Sequence, residues 1–250
     1  VGRLDSSRRR QVGRHVRRVQ GADLPATALR RATGRVFASY ANYWYRSLRL
    51  PTMGVAELGD RFSIDGYRHV EEARTAGSGT ILALPHLGTW EWAGVWLARV
   101  QRVPVSAVVE RLEPPELFEW FRELRAALGI EVIPLGEGAG AQVLRSLADG
   151  RVVCLLSDRL VGGSGVDVEF FGETTSLPAG PATLALRSGA SLLPVGVYDT
   201  PDGCHAIVRP PVSAERTGRL RDDVVRMTAA LAAELEWLIG RAPDQWHLVQ

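Results

Sequence analysis

Residues 81–94 read Ile81-Leu-Ala-Leu-Pro-His86-Leu-Gly-Thr-Trp-Glu91-Trp-Ala-Gly94, and this stretch decides the fold class. Ile81 to Leu84 is an apolar run of strand length. Pro85 and Gly88 mark a turn. From about Trp90 the apolar residues return at helical spacing, with Trp92, Val95 and Trp96 sharing one face as core residues. Strand, tight turn and helix in that order open a βα unit.

The same alternation continues outward in the C-terminal direction. Val105 to Val109 precedes a helical stretch from Leu117 to Leu128, Ile130 to Ile133 precedes Ala141 to Leu147, and Val152 to Leu156 leads to the short alternating piece Val166 to Phe170. A helix from Ala179 to Ser188 then feeds Leu192 to Val197. Strands alternating with helices predict a single α/β domain with a mostly parallel central sheet flanked by helices. Cys204 to Val208 reads as an antiparallel edge strand, and Arg221 to Ile239 as an amphipathic closing helix. In the N-terminal direction, Leu29, Val36, Phe37, Tyr40, Trp44 and Leu48 recur at helical spacing between Pro25 and Pro51, which predicts a leading helical region. No linker divides the chain, so residues 1–250 read as one domain.

Composition bounds the function. The 250 residues are 46% hydrophobic and 23% charged, with Gly 26 and Pro 14, which excludes a disordered or collagen-like chain. The net charge of +2 hides an asymmetry: residues 1–50 hold 12 Arg against two acids, Asp5 and Asp23, while the remainder holds 18 Arg against 26 acids. That Arg-dense front fits anionic lipid, phosphorylated substrate or plain solvated helix surface. Nucleic acid is not expected as a partner, because no recognised binding motif accompanies the arginines. Cys154 and Cys204 stand in unlike contexts, which suggests neither a disulfide framework nor a metal knuckle. No apolar run reaches the length of a membrane span, and a terminal anchor outside these residues is compatible with that.

In open α/β sheets, chemistry sits beyond the carboxyl ends of the strands, which makes His86 the first residue to inspect. Five residues on a helix do not share a face, but a turn at Pro85 and Gly88 would let the ring fold back towards Glu91. A carboxylate bonded to one ring nitrogen fixes the tautomer and leaves the other free to take a proton from a hydroxyl. That is half of a triad, with the substrate's own hydroxyl as nucleophile. The plainer alternative is a histidine that caps a helix or bonds a carbonyl. His15, His69, His205 and His247 have no acid at a telling spacing and receive no role.

His86-Leu-Gly-Thr-Trp-Glu91 also carries a resemblance, together with Val108-Val-Glu110-Arg111, Phe121-Arg122-Glu-Leu-Arg125 and Leu155-Leu-Ser-Asp158-Arg159. Gly165-Val-Asp167-Val-Glu169-Phe170-Phe171-Gly172-Glu, Leu177-Pro-Ala-Gly180-Pro-Ala and Ser188-Gly-Ala190 complete it. From about residue 25 onward the chain resembles the bacterial lipid A biosynthesis acyltransferases, and within them the actinobacterial phosphatidylinositol mannoside acyltransferases. The acid is Glu91 where mannoside-type members often carry Asp, and both serve in the wider family.

The resemblance implies a glycerolipid-acyltransferase-like fold and transfer of a fatty acyl group, from acyl-CoA or an acyl carrier protein, to a sugar hydroxyl of a glycolipid acceptor. It implies peripheral attachment at the cytoplasmic face of the inner membrane, with acyl-CoA as co-substrate and no cofactor or metal. His86 would be the base and Glu91 its orienting partner, with backbone N–H groups near Gly88 and the helix start as oxyanion donors. Asp158 would be a second acidic partner of the histidine or would hold acceptor sugar. Arg159 joins the binding set beside it. Glu110 would bind sugar hydroxyls and Arg111 a phosphate, unless they form a surface ion pair. Arg122 and Arg125 would bind donor or acceptor phosphate, unless they are solvated-face arginines. Phe170 and Phe171 read as core or acyl-channel walls, and Asp167 and Glu169 as one strand face turned to the site or to water. A lipid A-type acceptor, hydrolysis of the thioester at the same His/Glu pair, and a non-enzymatic anionic-lipid-binding module are the alternatives.

Overall fold

The computed structural model describes residues 6–213 and 216–248; the first five residues of the Arg-rich front lie outside them. The chain opens with two helices, α1 (Ser6–Gln20) and α2 (Ala26–Arg49), which bury Val12, Val16, Ala32 and Val36 against each other. There follow α3 (Val55–Asp60), β1 (Phe62–Asp65), α4 (Arg68–Thr75), β2 (Thr80–Leu84), α5 (Trp90–Val95), β3 (Val105–Val109), α6 (Pro115–Ala127) and β4 (Ile130–Pro134). The second half runs α7 (Ala139–Ala148), β5 (Val152–Leu156), β6 (Gly165–Phe170), β7 (Glu173–Pro178), α8 (Gly180–Ser188), β8 (Ser191–Asp199), β9 (Cys204–Val208) and α9 (Leu220–Gly240). A single turn of 3-10 helix, Pro243–Gln245, leads into the terminal segment.

Seven strands form one sheet in the order β1-β9-β8-β2-β5-β3-β4, parallel except where β8 meets β9. Every residue of β2 is buried, as a central strand covered on both faces must be. Its side chains divide by the pleat. Ile81 and Ala83 join Val153, Leu155 and Leu192 under α7, α8 and α9, whereas Leu82 and Leu84 join Leu193, Val195, Trp92 and Trp96 on the opposite face.

The architecture is the one the alternation predicts, with two corrections at its margins. β9 is antiparallel to β8 but is not the edge, because β1 pairs with it in parallel, Phe62 opposite Cys204. β6 and β7 form a separate antiparallel hairpin. On β6, Val166, Val168 and Phe170 point into the core and Asp167 and Glu169 into water, which answers the question of where that acidic face turns.

Candidate active site

β2 and β5 are neighbours, and their register pairs Leu84 with Leu156. Two residues beyond that pair, at the carboxyl end of the sheet, stand His86 and Asp158. The backbone N–H of His86 donates to Asp158 Oδ2 at 2.9 Å, and His86 Nδ1 lies 2.7 Å from Asp158 Oδ1. Trp246 Nε1 donates to Asp158 Oδ2 at 2.7 Å. The carboxylate is therefore held by the backbone and ring of His86 and by an indole while its side chain is fully buried. Burial on its own would raise the Asp158 carboxyl; the His86 charge and the three hydrogen bonds outweigh it and keep the group below the ordinary carboxylate range. With Nδ1 engaged, Nε2 is the ring nitrogen left for chemistry, and His86 is the residue of the pair that lines the cavity.

This geometry corrects the assignment of Glu91 as the orienting acid. Glu91 Oε1 accepts from both Nε, at 3.2 Å, and a terminal nitrogen of Arg125. Both side chains are largely buried, at 10% and 14% exposure, so the pair is a packed internal ion pair. The reason is geometric: Glu91 sits in the first turn of α5, and the register of two adjacent strands brings Asp158 to the ring instead.

The turn itself is clamped from distant parts of the chain. Gly88 has φ +56, and a Cβ there would lie 2.4 Å from the Val197 carbonyl oxygen, so only glycine lets the turn pass β8. Its N–H donates to the Gln245 carbonyl at 3.0 Å. Thr89 gives its N–H and hydroxyl to Asp199 Oδ1, at 3.1 and 2.6 Å. Neither Gly88 nor Thr89 has an N–H free for an oxyanion, which removes these two residues from the expected donors. Asp199 in turn receives Asn42 from α2 at 3.0 Å, and its backbone is bracketed by the Gln245 side chain. Past Trp246, the N–H of His247 donates to the His86 carbonyl at 2.7 Å. The His247 ring is buried, with Nε2 2.9 Å from Ser39 Oγ; burial, helped by the His86 charge and opposed by Asp199 and Asp158, drives its pKa down to about 4.

A cavity of about 700 Å³ opens beside His86. Tyr40, Tyr43, Trp44 and Trp90 form its aromatic end, with Tyr43 stacked on Trp90 at 5.6 Å between ring centres. Of the arginines and acids expected there, Glu110, Arg125 and Arg159 line it. Arg159 donates to Glu110 at 2.6 Å, an ion pair between two strand ends. Arg122 is an exposed residue bonded to Glu119 at 2.6 Å, and Arg111 lies over the Phe118 ring. Neither lines the cavity, so the solvated-face reading holds for Arg122. Phe170 is core, packed at 6.2 Å against Trp246. Trp246, Gln245, Asp199 and His247 were not legible as site residues, since each reaches the turn only through the tertiary fold.

The profile of the bacterial lipid A biosynthesis acyltransferases matches residues 1–250. A phosphatidylinositol mannoside acyltransferase of Mycolicibacterium smegmatis is 41% identical over 246 residues, covering 96% of this chain and 78% of the relative. One of Mycobacterium tuberculosis is 40% identical over 217 residues, covering 85% of this chain and 67% of the relative. A match along the whole chain, on a fold that carries a paired histidine at the crevice, makes this protein a member of the bacterial lipid A biosynthesis acyltransferase family.

Proposed function

We propose that this acyltransferase moves a fatty acyl group from acyl-CoA to a sugar hydroxyl of a glycolipid, with a phosphatidylinositol mannoside as acceptor. The observation that carries the reading is the His86–Asp158 pair opening onto a large cavity with mostly apolar walls. The names of the two mycobacterial relatives support the choice of acceptor.

In this mechanism His86 Nε2 takes the proton of the acceptor hydroxyl as its oxygen adds to the thioester carbonyl. Asp158 keeps the proton on Nδ1 and stabilises the imidazolium that forms. The tetrahedral intermediate collapses with loss of the CoA thiolate, which takes the proton back from His86, so the ester forms, the thioester breaks and no acyl-enzyme arises. Against the opposing effect of burial, His86 and the hydrogen bonds from Trp246 and from the His86 ring and backbone keep Asp158 ionised throughout.

Membrane attachment is part of the proposal and is peripheral. Among the described residues no helix is long and apolar enough to cross a membrane. α1 carries six arginines and α2 five, with no acid in either, a surface suited to the anionic cytoplasmic leaflet of the inner membrane.

The test is incubation with palmitoyl-CoA and a panel of glycolipids, with products identified by mass spectrometry. The expected outcome is an acylated phosphatidylinositol mannoside and free CoA. His86→Ala should lose about ten-thousandfold in rate with an unchanged circular dichroism spectrum. Free fatty acid as the main product with acceptor in excess would replace transfer by hydrolysis, and preferential acylation of a glucosamine disaccharide would move the acceptor to the lipid A class.

A further inference from the structure

Part of the cavity wall is built by two helices, α7 and α8, and the lining residue farthest along α8 carries a charge. α7 leaves the carboxyl end of β4 and α8 the loop beyond β7, and both descend past the sheet to deliver the chain to the amino ends of β5 and β8. Gly140, Val143 and Leu144 on α7 and Thr183, Leu184 and Arg187 on α8 all line the cavity. On each helix these positions recur at the three-to-four-residue spacing of one face. Leu147, next along α7, is packed in the core and closes that side. On α8 the lining ends with Arg187 in the last turn, about 10 Å along the helix axis from Gly180.

Arg187 differs from the other cavity arginines. Arg125 is neutralised by Glu91 and Arg159 by Glu110, whereas Arg187 has no carboxylate partner among the described residues. Arg187 is exposed to solvent while lining the cavity, and helical side chains lean towards the N-terminus, so its stem runs back towards Leu184 and Thr183 and brings the guanidinium against that end of the apolar wall. A hydrocarbon descending from the catalytic end therefore meets apolar walls first and a hydrated cation last.

We infer that Arg187 limits the length of the acyl chain the enzyme accepts, by ending the apolar groove between α7 and α8. The inference rests on the acyl-transfer reading and adds to it the residue that selects the donor. A methylene that reaches beyond Leu184 comes against the guanidinium and loses the favourable transfer from water to an apolar surface. That transfer is worth about fourfold in affinity per methylene, or up to about fifteenfold for a two-carbon extension.

The experiment compares kcat/KM for a series of saturated acyl-CoA donors of increasing length, at fixed acceptor, in the wild type, Arg187→Leu and Arg187→Gln. Arg187→Leu should raise the ratio for the donor two carbons longer than the wild-type optimum, by up to about fifteenfold and through KM, with Arg187→Gln giving a smaller shift in the same direction. Gly140→Leu should shift preference towards shorter chains, because a side chain there enters open space on the opposite wall. A chain-length profile unchanged in both Arg187 variants overturns the inference while leaving acyl transfer intact. Absence of transfer by the wild type with every donor overturns the transfer reading instead. In that event displacement of a fluorescent fatty acid by the same chain series still decides whether Arg187 ends the groove, and equal displacement profiles refute it.

Discussion

Two regions meet at His86: the turn and helix start that follow it in sequence, and the segments that reach it from 72 to 161 residues away. The near region is committed to scaffolding. Gly88 and Thr89 spend their N–H groups on Gln245 and Asp199, and Glu91 is bound to Arg125. The distant region supplies what the imidazole needs, with Asp158 on Nδ1, Trp246 on Asp158 and the His247 N–H on the His86 carbonyl. A histidine followed by an acid five residues on thus describes a rigid turn, while the orienting carboxylate arrives by strand pairing.

The largest expected effect tests that division directly. Asp158→Asn keeps the size of the side chain but removes the charge that stabilises the imidazolium and fixes its tautomer, and should lower kcat by about a thousandfold to ten-thousandfold with KM little changed. Steady-state kinetics on the folded variant measure this, and a loss below tenfold would return the orienting role to another acid.

Glu91→Gln should act chiefly on stability. It leaves the Arg125 guanidinium largely buried without its partner, at a cost of about 3–5 kcal/mol in chemical denaturation. Removing both charges in Glu91→Gln with Arg125→Met should recover most of that. Activity per folded molecule should fall less than in Asp158→Asn; an equal or greater fall would mean that Glu91 takes part in the chemistry and that the division drawn above is wrong.

How much of this was legible follows from the range of each interaction. β2, β3, β5 and β8 announce themselves because central strands are continuous apolar runs, and α5 and α6 because their buried faces recur at helical spacing. β1 is four residues with only Phe62 buried, and β7 is rich in Thr and Ser, so neither produces a comparable pattern. Strand order is also absent from the local pattern. Asp158 could be placed at the crevice as a strand-end acid, but that β5 lies next to β2, with Leu156 opposite Leu84, depends on the whole sheet. Arg122 and Arg125 show the same limit from the other side: one helical turn apart, they look alike in sequence, yet one faces water and the other the cavity wall.

The terminal segment gives a prediction in pH. His247 has a folded pKa of about 4 against 6.5 for the free side chain, so between those values the unfolded chain binds the additional proton and stability falls as pH falls. The full interval amounts to about 3 kcal/mol, fully present above pH 6.5 and lost by about pH 4. His15, lowered mainly by burial beside Trp246, adds in the same direction. Melting temperatures measured across this range should show a shallower decline in His247→Gln than in the wild type, and parallel curves would show that the ring is not held neutral by its surroundings.

The smallest effect concerns the joint between the two regions. Trp246→Phe deletes the indole donor to Asp158 Oδ2 and retains an aromatic ring to pack near Phe170 and Phe171. A hydrogen bond to a charged group contributes about 1.5–3 kcal/mol, so the melting temperature should drop modestly. A packing defect alone would stop there. Loss of the donor also leaves the Asp158 charge less stabilised, which raises the proton affinity of the His86–Asp158 pair as a unit. The acid limb of the kcat/KM profile should therefore move to higher pH in Trp246→Phe. If the limb stays in place while stability falls, Trp246 serves only as a wedge between the terminal segment and the sheet, and the distant region orients the imidazole through Asp158 alone.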